Sequence, residues 1–284
     1  MTRNNNDRLG IEPSVPQESD PVVQSVNQGK SELAYTQPTE LVDLPTKGKF
    51  YPNTHPLHNV ESVEIRYMTA KDEEILNSRT LLQKGVALDK MIQGLLTNKT
   101  IKLDEMFIGD KNALVLAARI TGYDAEYKTN VTCTACGEKS THEFDLNEAR
   151  KIKEVEEGVQ IAEDGTFDLV LPKSKAKVTI KLLTGNDEKS LRMTAEKKKK
   201  HNLLESAITD QLKQIIVSVN GDADGEVINQ FVNNMLARDS RYIRDEYAKI
   251  SPNVDLKQDF ECPKCYSHSQ INIPFTADFF WPNR

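Results

Sequence analysis

Apolar and polar positions alternate over residues 62–68, SVEIRYM, the period-two pattern of a strand with one face on a core. The same alternation runs through TFDLVL at 166–171 and KVTIKLL at 177–183, and it predicts a β-hairpin whose loop holds Pro172. Shorter strand patterns flank two cysteine pairs. TNVTC at 129–133 and THEF at 141–144 surround the first, and DFEC at 259–262 and SQINIPF at 269–275 surround the second. Elsewhere the period is helical. Leu88, Met91, Ile92, Leu95 and Leu96 form one stripe over 88–98, and 110–120 is nearly all apolar after Asn112, as in a buried helix. A short helix opens after Thr69, a residue type that caps a first turn. Four more helices are expected at 187–200, 203–217, 226–237 and 240–249, with Ser251-Pro252 ending the run.

Between these patterns the chain reads as irregular or loose. LPTKGKFYP at 44–52 mixes turn formers with Phe50 and Tyr51, which should anchor it. Residues 1–40 are rich in Asn, Gln, Ser and Pro without either period, and read as a disordered arm. The tail at 278–284, DFFWPNR, is aromatic and holds the sole tryptophan, Trp281. Beyond the two cysteine pairs no internal repeat is evident. The expected fold is α+β: a disordered arm (1–40), an N-terminal α+β part with the first cysteine knuckle (41–145), a hairpin and helical insertion (146–257), and the second knuckle with the aromatic tail (258–284). The apolar runs, such as LVLAA at 114–118 and IIVSV at 215–219, fall far short of the roughly 20 residues that cross a bilayer. No membrane partner and a cytoplasmic site of folding are therefore expected.

The four cysteines change this picture most. Cys133 and Cys136 are separated by two residues and followed by Gly137; Cys262 and Cys265 repeat the spacing. Two residues between cysteines let both thiolates of a knuckle point at one ion, and two knuckles complete a tetrahedron with no open position. The reading is one structural Zn2+ held by Cys133, Cys136, Cys262 and Cys265, in a discontinuous zinc-ribbon-like element. Gly137 suits a positive φ after the second cysteine. The 125 residues between Cys136 and Cys262 greatly exceed the 15–20 of a compact ribbon, so the intervening chain reads as a large insertion or a domain closed by the metal. Disulfides, a redox CxxC and an iron–sulfur cluster are the competing readings. The expected compartment disfavours the first, and the lack of a βαβ context the second.

Other candidate chemistry is weaker. Residues 220–225 start like a calcium loop, but the twelfth position is Phe231 rather than an acid, so a turn capping the next helix is the better reading. His142 and His268 follow the knuckles and could approach the ion, yet four cysteines already suffice. Neither a P-loop, a nucleophile elbow nor a GxGxxG after a strand is present, and no catalytic residue is assigned. With a formal net charge of -6, a phosphate-neutralising surface is disfavoured. Lys197 to Lys200 spread around all faces of a helix and read as a solvated helix end. Phe279, Phe280 and Trp281 either close the core over the second knuckle or serve as partner-binding anchors.

Taken together, LPTKGKFYP (44–52), VEIRYMTAKDEEIL (63–76) and GDKNALVLAARITGYDAEYKTNVTCTACGEK (109–139) resemble the baseplate proteins of T-even-like contractile-tailed phages. More narrowly, they resemble the baseplate hub subunits or hub assembly proteins in their marine and cyanophage form. The likeness spans 41–284. It implies a non-enzymatic protein that binds other baseplate hub proteins, in the host cytoplasm during assembly and in the virion tail baseplate. The rival reading is a zinc-ribbon nucleic-acid-binding or transcription-regulating factor.

Overall fold

A hairpin opens the described chain. β1 (Thr39–Asp43) pairs antiparallel with β2 (Ser62–Arg66), setting Val42 opposite Val63 on the core side. The computed structural model describes residues 37–153, 155, 162, 164–204, 206–273 and 279–280. Most of the expected arm (1–36) and Trp281 lie outside these residues. Thr39 and Glu40, read above as arm, are the first residues of β1. Their pattern is hidden because Leu41 faces outward and Val42 inward, so one buried residue carries the whole strand.

After β2 come α1 (Ala70–Asn77), α2 (Arg79–Gln83), α3 (Ala87–Leu95) and a 3-10 turn at Leu103–Glu105. The buried α4 (Ile108–Tyr123) then leads to the hairpin β3 (Glu126–Thr132) and β4 (Lys139–Asp145). A link of α5 (Leu146–Ala149) and β5 (Ile152–Lys153) follows. The second part holds β6 (Thr166–Val170), β7 (Lys177–Lys181), α6 (Gly185–Lys200), α7 (Ala207–Ile215) and β8 (Ile216–Val219). It ends with α8 (Gly225–Asn233), α9 (Ala237–Ile250), β9 (Asn253–Val254) and the hairpin β10 (Lys257–Glu261) and β11 (His268–Asn272). The fold is α+β with small antiparallel sheets. Among the described residues no helix is long and apolar enough to cross a membrane.

The two parts are copies of one unit, which corrects the expectation that no repeat exists beyond the knuckles. β1–β2 and β6–β7 are five-residue hairpins of matching register, with Ile65 and Ile180 at equivalent places. Leu44-Pro45 follows β1 and Leu171-Pro172 follows β6. The inner strand then runs into a Thr-x-x-Asp helix start. Asp72 accepts from the Thr69 N–H and hydroxyl at 2.9 and 2.7 Å, and Asp187 from the Thr184 N–H and hydroxyl at 2.9 Å each. Arg66 binds Asp72, and Lys181 binds Asp187. α4 and α9 each carry a buried aspartate in the first turn that accepts from the Leu-Pro loop of a hairpin. Asp110 takes the Thr46 N–H at 3.0 Å, and Asp239 the Lys173 and Ser174 N–H groups at 2.9 Å. Asp110 to Asp239 and Cys133 to Cys262 span the same 129 positions. The knuckle hairpins match under that shift, with Val131 opposite Ser140 and Phe260 opposite Ser269. The helices between the knuckles are thus the body of a second copy that carries its own knuckle. The repeat escapes inspection because the spacing drifts: the loop at 47–60 has no equal between Pro172 and β7, and α6 is twice as long as α1.

Two cores result. One gathers residues from 42–149 together with 254–280, so the second knuckle packs on the first copy; the other gathers Phe50 with residues from 167–250. The helix expected at 203–217 stops at Ile215, where Ile216–Val219, β-branched at all but Ser218, pairs with β7 as β8.

Asp72 offers a test of the shared helix start. Burial would raise its carboxyl, but hydrogen bonds from Arg66 and Thr69 win and hold it at about 2. The folded value lies below the unfolded one, so its contribution is present above about pH 4 and is lost as pH falls toward 2. Asp72→Asn is expected to lower the melting temperature at pH 7 and to flatten its decline between pH 4 and 2, read by circular dichroism across pH.

Candidate metal centre

Each cysteine pair sits at the tip of its hairpin, and the two tips have the same backbone wiring. The Cys133 N–H donates to Glu138 O at 2.8 Å, and the Gly137 N–H to Cys133 O at 3.0 Å. In the second tip the Cys262 N–H donates to Ser267 O at 3.1 Å, and the Tyr266 N–H to Cys262 O at 2.9 Å. Both turns close through a left-handed residue, Gly137 at φ +73° and Tyr266 at φ +57°. Glycine accepts that conformation freely; tyrosine adopts it only because the turn imposes it.

The tips meet, and the four Sγ atoms lie within 4.8 Å of one another. Cys133 Sγ is 3.7 Å from Cys265 Sγ, and Cys136 Sγ is 3.7 Å from Cys262 Sγ. These contacts exchange under the repeat: the first cysteine of each knuckle faces the second of the other. That is the isologous relation of a twofold dimer, here within one chain. A metal–sulfur distance of about 2.3 Å in a tetrahedron requires sulfurs about 3.8 Å apart, so the cluster fits one ion. A disulfide would need about 2.05 Å.

Cys133 and Cys262 are buried, while Cys136 and Cys265 face solvent. Backbone N–H groups of Cys136 and Ala135 hold the Cys133 thiol down at about 6. The Ser267 N–H also favours the Cys265 thiolate, yet the neighbouring sulfurs overcome it and push that thiol up to about 12. Four sulfurs this close cannot all ionise against one another, and a bound cation removes the conflict. Across the exposed side, Lys264 of the second tip binds Glu138 of the first at 2.5 Å.

The remaining sequence candidates fall elsewhere. His142 packs on Phe144 and Phe260 with centroids 4.6 and 5.2 Å away, and His268 is exposed at the start of β11. Asp224 caps α8 by accepting from the Glu226 N–H, as a turn reading requires. Phe279 and Phe280 are buried in the first core, the place that the core-closing reading gives them. Trp281 lies outside the described residues.

Sequence reasoning missed Arg119, a buried cation on α4. Its Nε donates to Phe279 O at 3.1 Å, and its other nitrogens to Asp124 O and Glu126 O at 2.5 and 2.9 Å. It also lies over the Tyr123, Tyr127 and Phe279 rings. The side chain ties the C-terminal aromatics to the root of the first knuckle hairpin. The signal was a lone arginine inside ALVLAARI, where a buried charge must find partners.

A family model described as T4 bacteriophage base plate protein matches residues 38–281. No curated protein and no solved structure matches the chain.

Proposed function

The chain belongs to the T4 bacteriophage base plate protein family, and from that premise we propose that it is a non-enzymatic hub protein of the tail base plate, a subunit or an assembly factor, whose two copies are clamped by one structural zinc ion. Membership supports a structural role in the base plate and interaction with other base plate proteins. The clamp rests on one observation: four thiols from two equivalent hairpins converge at tetrahedral spacing. An all-thiolate, four-coordinate set suits zinc, and filling all four positions leaves none for a substrate. Cys133, Cys136, Cys262 and Cys265 would hold the ion, which supplies a crosslink between copies and no reaction. Hub proteins are the partners in this reading, met in the host cytoplasm during assembly.

Elemental analysis of the reduced, full-length chain is expected to find one zinc per chain that survives dialysis. Co-expression with base plate hub proteins is expected to give a complex that a strong chelator prevents from forming. A folded, reduced chain without bound metal would sink the clamp; a metal-loaded chain that joins no hub complex would sink the hub assignment.

A further inference from the structure

The two sulfur contacts of 3.7 Å both run between knuckles, Cys133 to Cys265 and Cys136 to Cys262. Each joins one buried cysteine to one exposed cysteine. Cys133 and Cys262 are buried, while Cys136 and Cys265 face solvent. A small oxidant therefore reaches the outer sulfur of each pair first, and the inner sulfur of the opposite knuckle already stands against it. Closing 3.7 Å to the about 2.05 Å of a disulfide leaves under about 1 Å of travel for each sulfur.

The tips do not rely on the sulfurs alone to stay together. Lys264 of the second tip binds Glu138 of the first. Each turn is closed by its own backbone, through the Gly137 N–H to Cys133 O and the Tyr266 N–H to Cys262 O. Behind the tips, His142 of the first hairpin packs on Phe260 of the second. These contacts keep the opposed sulfurs opposed when an ion leaves.

We infer that oxidation by a peroxide replaces the metal clamp with two disulfides that cross between the copies, Cys133–Cys265 and Cys136–Cys262. The inference rests on the reading of the four thiolates as a zinc site, and it adds what becomes of that site when the ion is lost. In each pair the exposed thiolate attacks one peroxide oxygen, the O–O bond breaks, and the other oxygen takes up a proton and leaves as water. The opposed thiolate then attacks the resulting sulfenic sulfur. The S–O bond breaks, and that oxygen leaves as a second water after taking up a proton. Two peroxides and four protons thus turn four thiolates into two disulfides and four waters, and Zn2+ is released. The bridges span 132 and 126 positions, so both copies remain joined and the unfolded chain remains restrained. The rival pairing, Cys133–Cys136 with Cys262–Cys265, consumes the same sulfurs and leaves the copies unlinked.

The test treats the full, zinc-loaded chain with hydrogen peroxide, follows zinc release with a chromogenic chelator, and digests the product with trypsin without reduction. Cleavage after Lys128, Lys139, Lys257 and Lys264 leaves Cys133 and Cys136 on one peptide, Cys262 on a second and Cys265 on a third. Cross pairing is expected to give one species of three peptides, in which fragmentation between Cys133 and Cys136 assigns each bridge. One zinc per chain should leave as all four thiols disappear. A chelator should lower the melting temperature of the chain before oxidation and leave it unshifted afterwards, and a dithiol reductant should restore the sensitivity. An internal bridge in the 129–139 peptide, or Cys133–Cys262 with Cys136–Cys265, overturns the inference. So does a chain that keeps its zinc and its four thiols. A folded chain without zinc before treatment refutes the metal reading alone: cross pairing in its tryptic map would still support the bridges, and pairing within knuckles would still overturn them.

Discussion

Cys136→Ser combined with Cys265→Ser is expected to lower the melting temperature of the full chain by more than about 10 °C, because a chain of this size loses roughly 2–4 °C per kcal/mol and structural zinc contributes many kcal/mol. These two cysteines are the informative choice because both are exposed. Without a metal, an exposed cysteine-to-serine change alters stability by about 0.5 kcal/mol or less, which is close to the limit of detection. Cys133 and Cys262 are buried, and replacing them would mix lost coordination with damage to the core. The ion also closes the long loop between the knuckles, which restrains the unfolded chain. Either single substitution should cost nearly as much as the pair, since three sulfurs no longer close the tetrahedron. Scanning calorimetry of the wild type, both singles and the double, with and without chelator, reads all of this. Chelator should shift the wild type strongly and the double variant little. A double variant that melts with the wild type would remove the metal clamp from the account.

Gly109→Ala should destabilise the chain by about 3 kcal/mol or more, the upper range for forced overpacking. Gly109 lies in the first turn of α4, and a Cβ there would stand 2.0 Å from Pro252 O and 3.2 Å from Asn253 Cα. Both obstacles are backbone, so no rotamer change relieves them. α4 would have to leave the segment 252–254, where Asn112 now bonds Asn253 at 3.2 Å. That segment joins α9 to the second knuckle, so the strain acts on the joint between the copies. Gly225→Ala is the control. It starts α8 with no atom within 4 Å of its Cβ position, and the better helix former should leave stability unchanged or slightly raised. Urea titrations of both variants separate these outcomes. Equal stability of Gly109→Ala and wild type would mean that α4 and Pro252 are not packed this closely.

Much of the local structure was legible in the sequence. Period-two runs located β2, β6 and β7; helical stripes located α3 and α4; Thr69 marked the start of α1; and the spacing of the cysteines named all four converging sulfurs. These features are encoded within a few residues by side-chain period, cap chemistry and ligand spacing, so they survive without knowledge of neighbours. β8 was read as helix because an apolar run does not say whether a strand lies alongside it. Arg119 and the buried Phe279 and Phe280 depend on one another across 160 positions, a distance no local pattern spans.

By itself the sequence determined many of the strands and helices, that four thiolates can share an ion, and, in the paired LP, T-x-x-D and C-x-x-C motifs, the material of two copies. Only the tertiary structure decided that the copies join knuckle to knuckle, that the second knuckle packs on the first core, and that the outer half of α7 stays uncovered. The physical reason is range. Backbone propensity and capping act over one or two turns, whereas burial is settled by whatever surface the rest of the chain brings to a residue. Ala87 and Ala207, which begin the nine-residue helices α3 and α7, are one buried and one exposed, and show that difference directly.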